Sequence, residues 1–213
     1  MKLVCISDTH GDHEALELPA GDVLIHAGDV SAHGREFEVQ AFMQWLGSRG
    51  FDYTLCIAGN HDLFMEQEPV LAQQYADDHG VTLLNDSGCK VGGRKFWGSP
   101  ITPRFHNWSF MRDPGEPIDA HWRKIPLDTD VLITHGPPHG IMDAVRRQDG
   151  RVEYTGCPSL LARVKQLSPA LHIFGHIHEC HGKLQQDGVT FLNVSTMNEH
   201  YRIEHLPVVV ELP

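Results

Sequence analysis

The chain has no arrangement of cysteines that builds anything. Its five, Cys5, Cys56, Cys89, Cys157 and Cys180, are odd in number and scattered, with no C-x-x-C pair, which argues against a disulfide framework, a zinc knuckle and a dithiol couple. It has no apolar run approaching the roughly 20 residues that cross a bilayer, and Met1-Lys2-Leu3-Val4-Cys5-Ile6 turns polar too soon for a signal-peptide core. The expectation is a soluble, cytoplasmic chain with no membrane partner. Basic residues are scarce: 17 Lys and Arg face 28 Asp and Glu, a formal charge of −11, so a clamp for long nucleic acid is not expected. Repeats, low-complexity segments and linker-like composition breaks are also missing. With 213 residues, that leaves a single domain over 1–213 as the expectation.

Histidine is present in excess, with 16 copies. Short Val-, Ile- and Leu-rich runs at 3–6, 23–25, 53–58, 131–134 and 171–174 read as buried strands. Segments 35–46 and 159–167 space their apolar residues at helical intervals, and Pro158 suits a first helical turn. Segments 182–187, 189–194 and 207–212 follow without intervening helix, joined by turns such as Asp187-Gly188, an antiparallel addition to an α/β domain. The stretch 98–117 is the longest irregular piece, and loops of that length in a compact domain are usually functional.

Each of the five strand candidates ends in a polar cluster: Asp8-Thr9-His10, Gly28-Asp29, Gly59-Asn60-His61-Asp62, His135-Gly136 and Gly175-His176-Ile177-His178. Ligands of open α/β sheets bind beyond the carboxyl ends of the strands, so these clusters are expected to converge. Asp8 and His10, like His176 and His178, are two residues apart, a spacing that in extended chain points both side chains the same way. Imidazole and carboxylate without thiolate favour a divalent ion: Mn, Fe, Co, Ni or Zn, with manganese first. Seven candidate metal ligands, Asp8, His10, Asp29, Asn60, His135, His176 and His178, exceed the needs of one tetrahedral ion. Two ions sharing a carboxylate would use them all.

The same five clusters, in this order, resemble the signature of the calcineurin-like metallophosphoesterases. Trp97-Gly98-Ser99-Pro100, Thr134-His135-Gly136-Pro137-Pro138, Gly156-Cys157 and Leu192-Asn193-Val194-Ser195 are similar to the branch of metallophosphoesterase-domain (239AB-like) proteins and class III phosphodiesterases. The resemblance spans essentially the whole chain. It implies a four-layer α/β/β/α sandwich, two mixed sheets flanked by helices, with a dinuclear metal centre at the sheet edge. One ion would sit on Asp8, His10, Asp29 and His178, the other on Asp29, Asn60, His135 and His176, with Asp29 shared.

The activity this implies is metal-dependent hydrolysis of phosphodiester bonds in small substrates, cyclic nucleotides or aryl and nucleotide diesters, by a metal-bridged hydroxide attacking phosphorus. Open alternatives are a phosphomonoesterase or protein phosphatase on the same centre, and a non-catalytic interaction scaffold on this fold. His61, beside Asn60 but outside the ligand set, is the candidate donor to the leaving group or to a non-bridging oxygen, with Asp62 orienting its ring. Asn60, His61 and His139 are the expected substrate contacts. Arg104, His106, Arg146, Arg147 and Arg151 are possible phosphate partners, and Trp97, Phe105, Trp108 and Phe110 either stack an aromatic group or form a satellite core. His26 is a candidate supporting residue next to the Asp29 turn.

Overall fold

A computed structural model describes residues 1–147 and 149–212. In chain order, strand β1 (Lys2–Ile6) leads to β2 (Val23–Ala27), helix α1 (Glu36–Gly47), β3 (Tyr53–Ile57), helices α2 (Leu63–Gln67) and α3 (Pro69–Asp78), β4 (Thr82–Leu83), and the β5 (Ser87–Val91) and β6 (Arg94–Ser99) hairpin. The stretch 98–117 folds back on itself through β7 (Thr102–Pro103) and β8 (Met111–Arg112) before α4 (Glu116–Trp122). Then come β9 (Val131–Thr134), the hairpin β10 (Ala144–Arg146) and β11 (Val152–Tyr154), helix α5 (Pro158–Leu167), β12 (Leu171–Phe174), β13 (Gly182–Gln186), β14 (Val189–Asn193) and β15 (Val208–Glu211).

Two mixed sheets result. One runs β15-β1-β2-β3-β4, parallel except for β15; the other runs β13-β14-β12-β9-β6-β5, antiparallel only at its two edges. The expected four-layer sandwich is therefore the architecture. Its two long expected helices appear as α1 and α5, with Pro158 in the first turn of α5. The antiparallel addition divides differently from expectation: β13 and β14 stay together, whereas β15 crosses to the first sheet and pairs with β1. Segments α2, α3 and α4 were not anticipated, being short or weakly apolar.

The central strands alternate between two cores because successive side chains point to opposite faces. Leu3, Cys5, Ile25, Leu55 and Ile57 meet Ile133, Ile173, Leu192 and Val194 between the sheets, while Val4, Ile6, Leu24 and Cys56 face Val39, Phe42, Met43 and Leu46 of α1. None of the five cysteines is bonded to another, and no helix of the described residues is long and apolar enough to cross a membrane.

Phe42 ties the α1 packing to the polar end of β2, since its fully buried ring lies edge-on to His26 with centroids 4.7 Å apart. Phe42→Ala is expected to cost about 3–5 kcal/mol of stability, read from urea unfolding. A loss under about 1 kcal/mol would mean that helix and sheet close over the gap.

Candidate metal centre

The loops after β1, β2, β3, β9 and β12 meet at one edge, stitched by backbone hydrogen bonds. Asp8 N–H donates to Gly28 O (2.9 Å), the N–H groups of Thr9 and His10 both donate to Asp29 O (3.1 Å), and Gly175 N–H donates to His135 O (3.0 Å). Convergence does not come from extended chain, as the two-residue spacings suggested. Asp8, His10, Asp29 and His176 have φ of 53°, 42°, 58° and 69°, and His178 opens a 3-10 turn. Left-handed backbone at four non-glycine residues is costly and gathers at functional sites. Glycine is required where the loops touch: a Cβ on Gly175 would overlap Ser7 Oγ and Asp8 Oδ2, and one on Gly59 would overlap Asp29 Oδ1.

Within this frame the candidate ligands form two groups around one carboxylate. Ligand atoms of Asp29, His135 and His176 lie within 4.8 Å of one another, as do those of Asp8, His10 and His178. His135 Nδ1 donates to Ala27 O (3.0 Å), which turns Nε2 toward Asn60 Oδ1 (3.0 Å) and Asp29 Oδ2 (3.3 Å). His178 Nδ1 likewise donates to Asn198 O (2.9 Å), and its Nε2 faces His10 Nε2 (3.4 Å) and Asp8 Oδ1 (3.5 Å). His10 Nε2 stands 3.8 Å from Asp29 Oδ2, so Asp29 touches both groups. So many electron-pair donors with so few protons between them form a cation's surroundings, and fixing imidazoles through the other ring nitrogen is how proteins orient metal ligands.

Electrostatics agree. Burial alone would lower the pKa values of His135 and His178, but Asp29 beside one and Asp8 beside the other raise both to about 9. Burial would raise both carboxyls, yet the imidazoles hold Asp8 and Asp29 below the usual range. His176 is pushed down to about 3 by burial and by His135, which outweigh the opposing pull of Asp29 and Asp8.

The residues behind this set are fully committed. Asp8 accepts from Ser7 Oγ, from Ser195 Oγ (2.5 Å) and from His176 N–H (3.0 Å). Asn193 Nδ2 donates to Ile177 O (2.8 Å) and its Oδ1 accepts from Ser195 N–H (3.1 Å). Ser195 and Asn193, to which the sequence assigns no role beyond a shared motif, fasten the second sheet to the Asp8 loop. His26 accepts from Gly28 N–H (3.3 Å) through Nδ1 and bonds Thr9 Oγ1 (3.1 Å) through Nε2, joining two of the loops. Burial lowers its pKa to about 3 and keeps it neutral.

Two expectations need correction. Asp62 does not orient His61: its carboxylate accepts from the N–H groups of Gly59 (2.7 Å), Ser31 (2.9 Å) and Val30 (3.2 Å) and from Ser31 Oγ (2.6 Å). His61 Nδ1 instead donates to Ala32 O (3.1 Å). Burial, then the charge of Asp29, raises Asp62 to about 6. His139 lies outside the cleft, exposed, with Nδ1 3.6 Å from Asp143 Oδ2.

A cleft of about 480 Å³ opens over the ligand groups, lined by Asp29, Asn60, His61, His176 and His178. A ring nitrogen of His61 falls within 4.8 Å of the ligand atoms of His10 and Asp29. Arg104 and Arg147 line the cleft, whereas Arg146 and Arg151 line other depressions and His106 lies edge-on to Phe105 at the surface. Phe105 and Trp108 line it too; Phe110 is core, and Trp97 is half-buried against that core. Tyr201, Glu153, Glu179 and Glu199 also line it, the first two and the last on segments with no motif to announce them.

The family model for calcineurin-like phosphoesterases matches residues 1–180. The chain belongs to that family. This calcineurin-like phosphoesterase is 37% identical over 234 positions to metallophosphoesterase domain-containing protein 1 of Homo sapiens, covering 100% of this chain and 71% of that protein. It is 37% identical over 225 positions to UPF0046 protein K07C11.7 of Caenorhabditis elegans, covering 100% and 76%. The solved structure of TT1561 of Thermus thermophilus superposes with a TM-score of 0.60 at 16% identity, covering 90% of this chain and 88% of that one, a likeness of fold.

Metal uptake by this phosphoesterase should be proton-coupled. A ligating imidazole must give up the proton that His135 and His178 hold below about pH 9 in the metal-free protein. Apparent Mn²⁺ affinity, measured by titration, is expected to rise about tenfold per pH unit for each of these imidazoles that ligates, between about pH 7 and about pH 9, then to level off. A flat profile would remove these two imidazoles from the ligand set.

Proposed function

We propose that this chain is a dinuclear metal-dependent phosphodiesterase acting on small substrates. One ion would be held by Asp8, His10, Asp29 and His178 and the other by Asp29, Asn60, His135 and His176. The observation that carries this reading is the place of Asp29 Oδ2, 3.3 Å from His135 Nε2 and 3.8 Å from His10 Nε2: one buried carboxylate facing both donor groups. When bound, a pair of dications activates water as a nucleophile and neutralises phosphoryl oxygens. Among the divalent ions that accept imidazole, carboxylate and amide oxygen, manganese suits this oxygen share best. The five unpaired cysteines support a reducing, cytoplasmic compartment.

The chain's own groups divide the remaining work. Asn60, through Oδ1, and the carboxylates of Asp8 and Asp29 give the floor of the cleft its oxygen donors for cations. His61, with Nδ1 tied to Ala32 O and its ring edge-on to Trp108 at 4.2 Å, is the donor to the leaving oxygen or to a non-bridging phosphoryl oxygen. The choice of diester over monoester rests on the arginines of the cleft. Arg104 is paired with Asp113 and Arg147 with Glu153, each at 2.6 Å. Neither is left to balance the second charge that a monoester carries near pH 7, since its second pKa is about 6.

The deciding experiment compares bis(aryl) phosphate, aryl monophosphate and 2′,3′- and 3′,5′-cyclic nucleotides on metal-reconstituted protein. Diesters are expected to be hydrolysed with the higher kcat/KM; a strong preference for the monoester would replace this reading with a phosphomonoesterase. Separately, His61→Ala should lower kcat by ~10² to 10⁴-fold while elemental analysis still finds about two ions per chain. Loss of metal from that variant would make His61 a ligand instead of a donor.

A further inference from the structure

Most large apolar side chains of this protein are buried, yet three exposed aromatic rings share the cleft: Phe105, Trp108 and Tyr201 are 49%, 41% and 54% exposed and all line it. Aromatic surface left in water beside a polar centre is a binding feature when it is concentrated in this way. The three rings are not equivalent. Phe105 lies against His176, centroids 5.5 Å apart, and Trp108 against His61, both on the loop between β7 and β8. Tyr201 comes from the other end of the chain and stands over the other ligand group, 5.0 Å from the ring of His10 and 5.1 Å from that of His178, edge-on to both.

Its backbone is forced there. Tyr201 has φ of 56°, a region that a bulky aromatic residue seldom enters. The turn is imposed by Asn198, whose carbonyl accepts Tyr201 N–H (3.0 Å) and whose Oδ1 accepts the N–H groups of His200 (2.9 Å) and Arg202 (3.2 Å). The same Asn198 carbonyl fixes His178 Nδ1. One residue thus sets both a candidate ligand and the aromatic ring above it, and no packing need explains a strained, half-exposed tyrosine at that place.

A phosphodiester has two organic arms, one that leaves and one that is retained, and in-line displacement sends the leaving arm away from the side of attack. A monoester has only one. Aromatic rings over both ligand groups supply walls for two arms. Resting on the phosphodiesterase reading, we propose that Tyr201 is a specificity-determining positioning residue, the wall on which the retained planar group of a diester, aryl or nucleobase, packs, while Phe105 and Trp108 receive the leaving arm.

The test holds the leaving group constant and varies the retained arm: bis(4-nitrophenyl) phosphate, thymidine 5′-(4-nitrophenyl phosphate) and methyl 4-nitrophenyl phosphate, on metal-loaded wild type, Tyr201→Phe and Tyr201→Ala. Tyr201→Ala should raise KM about tenfold for the two substrates whose retained arm is planar, with kcat little changed. It should leave the methyl diester unaffected, with metal content equal to wild type. Tyr201→Phe, which keeps the ring, should behave as wild type on all three. An equal loss on all three substrates, or loss of metal from Tyr201→Ala, would overturn the proposal by making the ring a prop for His10 and His178; no change on any substrate would overturn it as well. Wild type inactive on every diester would overturn the phosphodiesterase reading and this proposal with it, an outcome distinct from an active wild type with an indifferent Tyr201.

Discussion

The rim of this protein is organised around the carboxylate of Asp29. It sits 2% exposed at the end of β2, with Oδ1 accepting the N–H of His61 and Oδ2 turned toward His135 and His10. A buried anion needs compensation, because desolvation without a partner costs several kcal/mol. Here it comes from three loops at once: the backbone of the β3 loop and imidazoles from the loops after β1 and β9. The edges of two separate sheets therefore have to meet at one point. Ser7 and Ser195, at the ends of β1 and β14, bridge the sheets directly beside Asp8.

The second layer is made almost wholly from side chains spent on backbone groups. Asp62 collects three N–H groups from two loops, His26 joins the Thr9 and Gly28 turns, Asn193 holds the turn after β12, and Asn198 holds the one before Tyr201. Charge-assisted and buried hydrogen bonds of this kind are strong and directional. They supply what left-handed backbone at Asp8, His10, Asp29 and His176 demands, since strain persists only where its surroundings over-determine it. The strained residues are candidate ligands themselves, and most of the side chains that restrain them are not, Asp8 being the exception because its carboxylate also accepts the N–H of His176. Work of positioning and work of binding are thus carried largely by different side chains a few residues apart.

That division explains what could be read from the sequence. The strands were legible because each is a run of Val, Ile and Leu buried on both faces, and the ligand candidates were legible because each sits at the carboxyl end of such a run. Asp62 departs from its expected role for a physical reason: adjacency to His61 in a sharp turn sends its carboxylate the opposite way, back to Val30 and Ser31. His139 departs similarly, as Gly136-Pro137-Pro138 carries the chain out of the cleft toward Asp143. Tyr201 gave no signal because nothing in Asn198-Glu199-His200-Tyr201 is periodic; only the closing of β14 onto the Asp8 loop brings it over His10. The two-residue spacings picked out residues that the structure brings together, although the geometry that unites them is left-handed turn and 3-10 helix, with Ile177 extended between His176 and His178.

The global charge of −11 acquires a local meaning from this arrangement. Without metal, the cleft has Asp8 and Asp29 beneath and Glu179 and Glu199 at its lining, and both of its arginines are neutralised by neighbouring carboxylates. With Asp8 and Asp29 matched by the protonated imidazoles of His178 and His135, such a cleft offers phosphate no net positive charge. On the proposed reading, two dications bring four positive charges to the floor, displace the protons of His135 and His178 and leave it net positive, because bound ions are the largest local charges in a site of this kind. The rim carboxylates remain outside that change. A single phosphoryl group reaches the floor, while a second anionic group further along the substrate meets Glu179 or Glu199 in a cleft where screening is weaker than in bulk water. On that same reading, attraction confined to the floor and repulsion kept at the rim would select a singly charged phosphate ester over a polyphosphate chain, and phosphate binding would be conditional on metal.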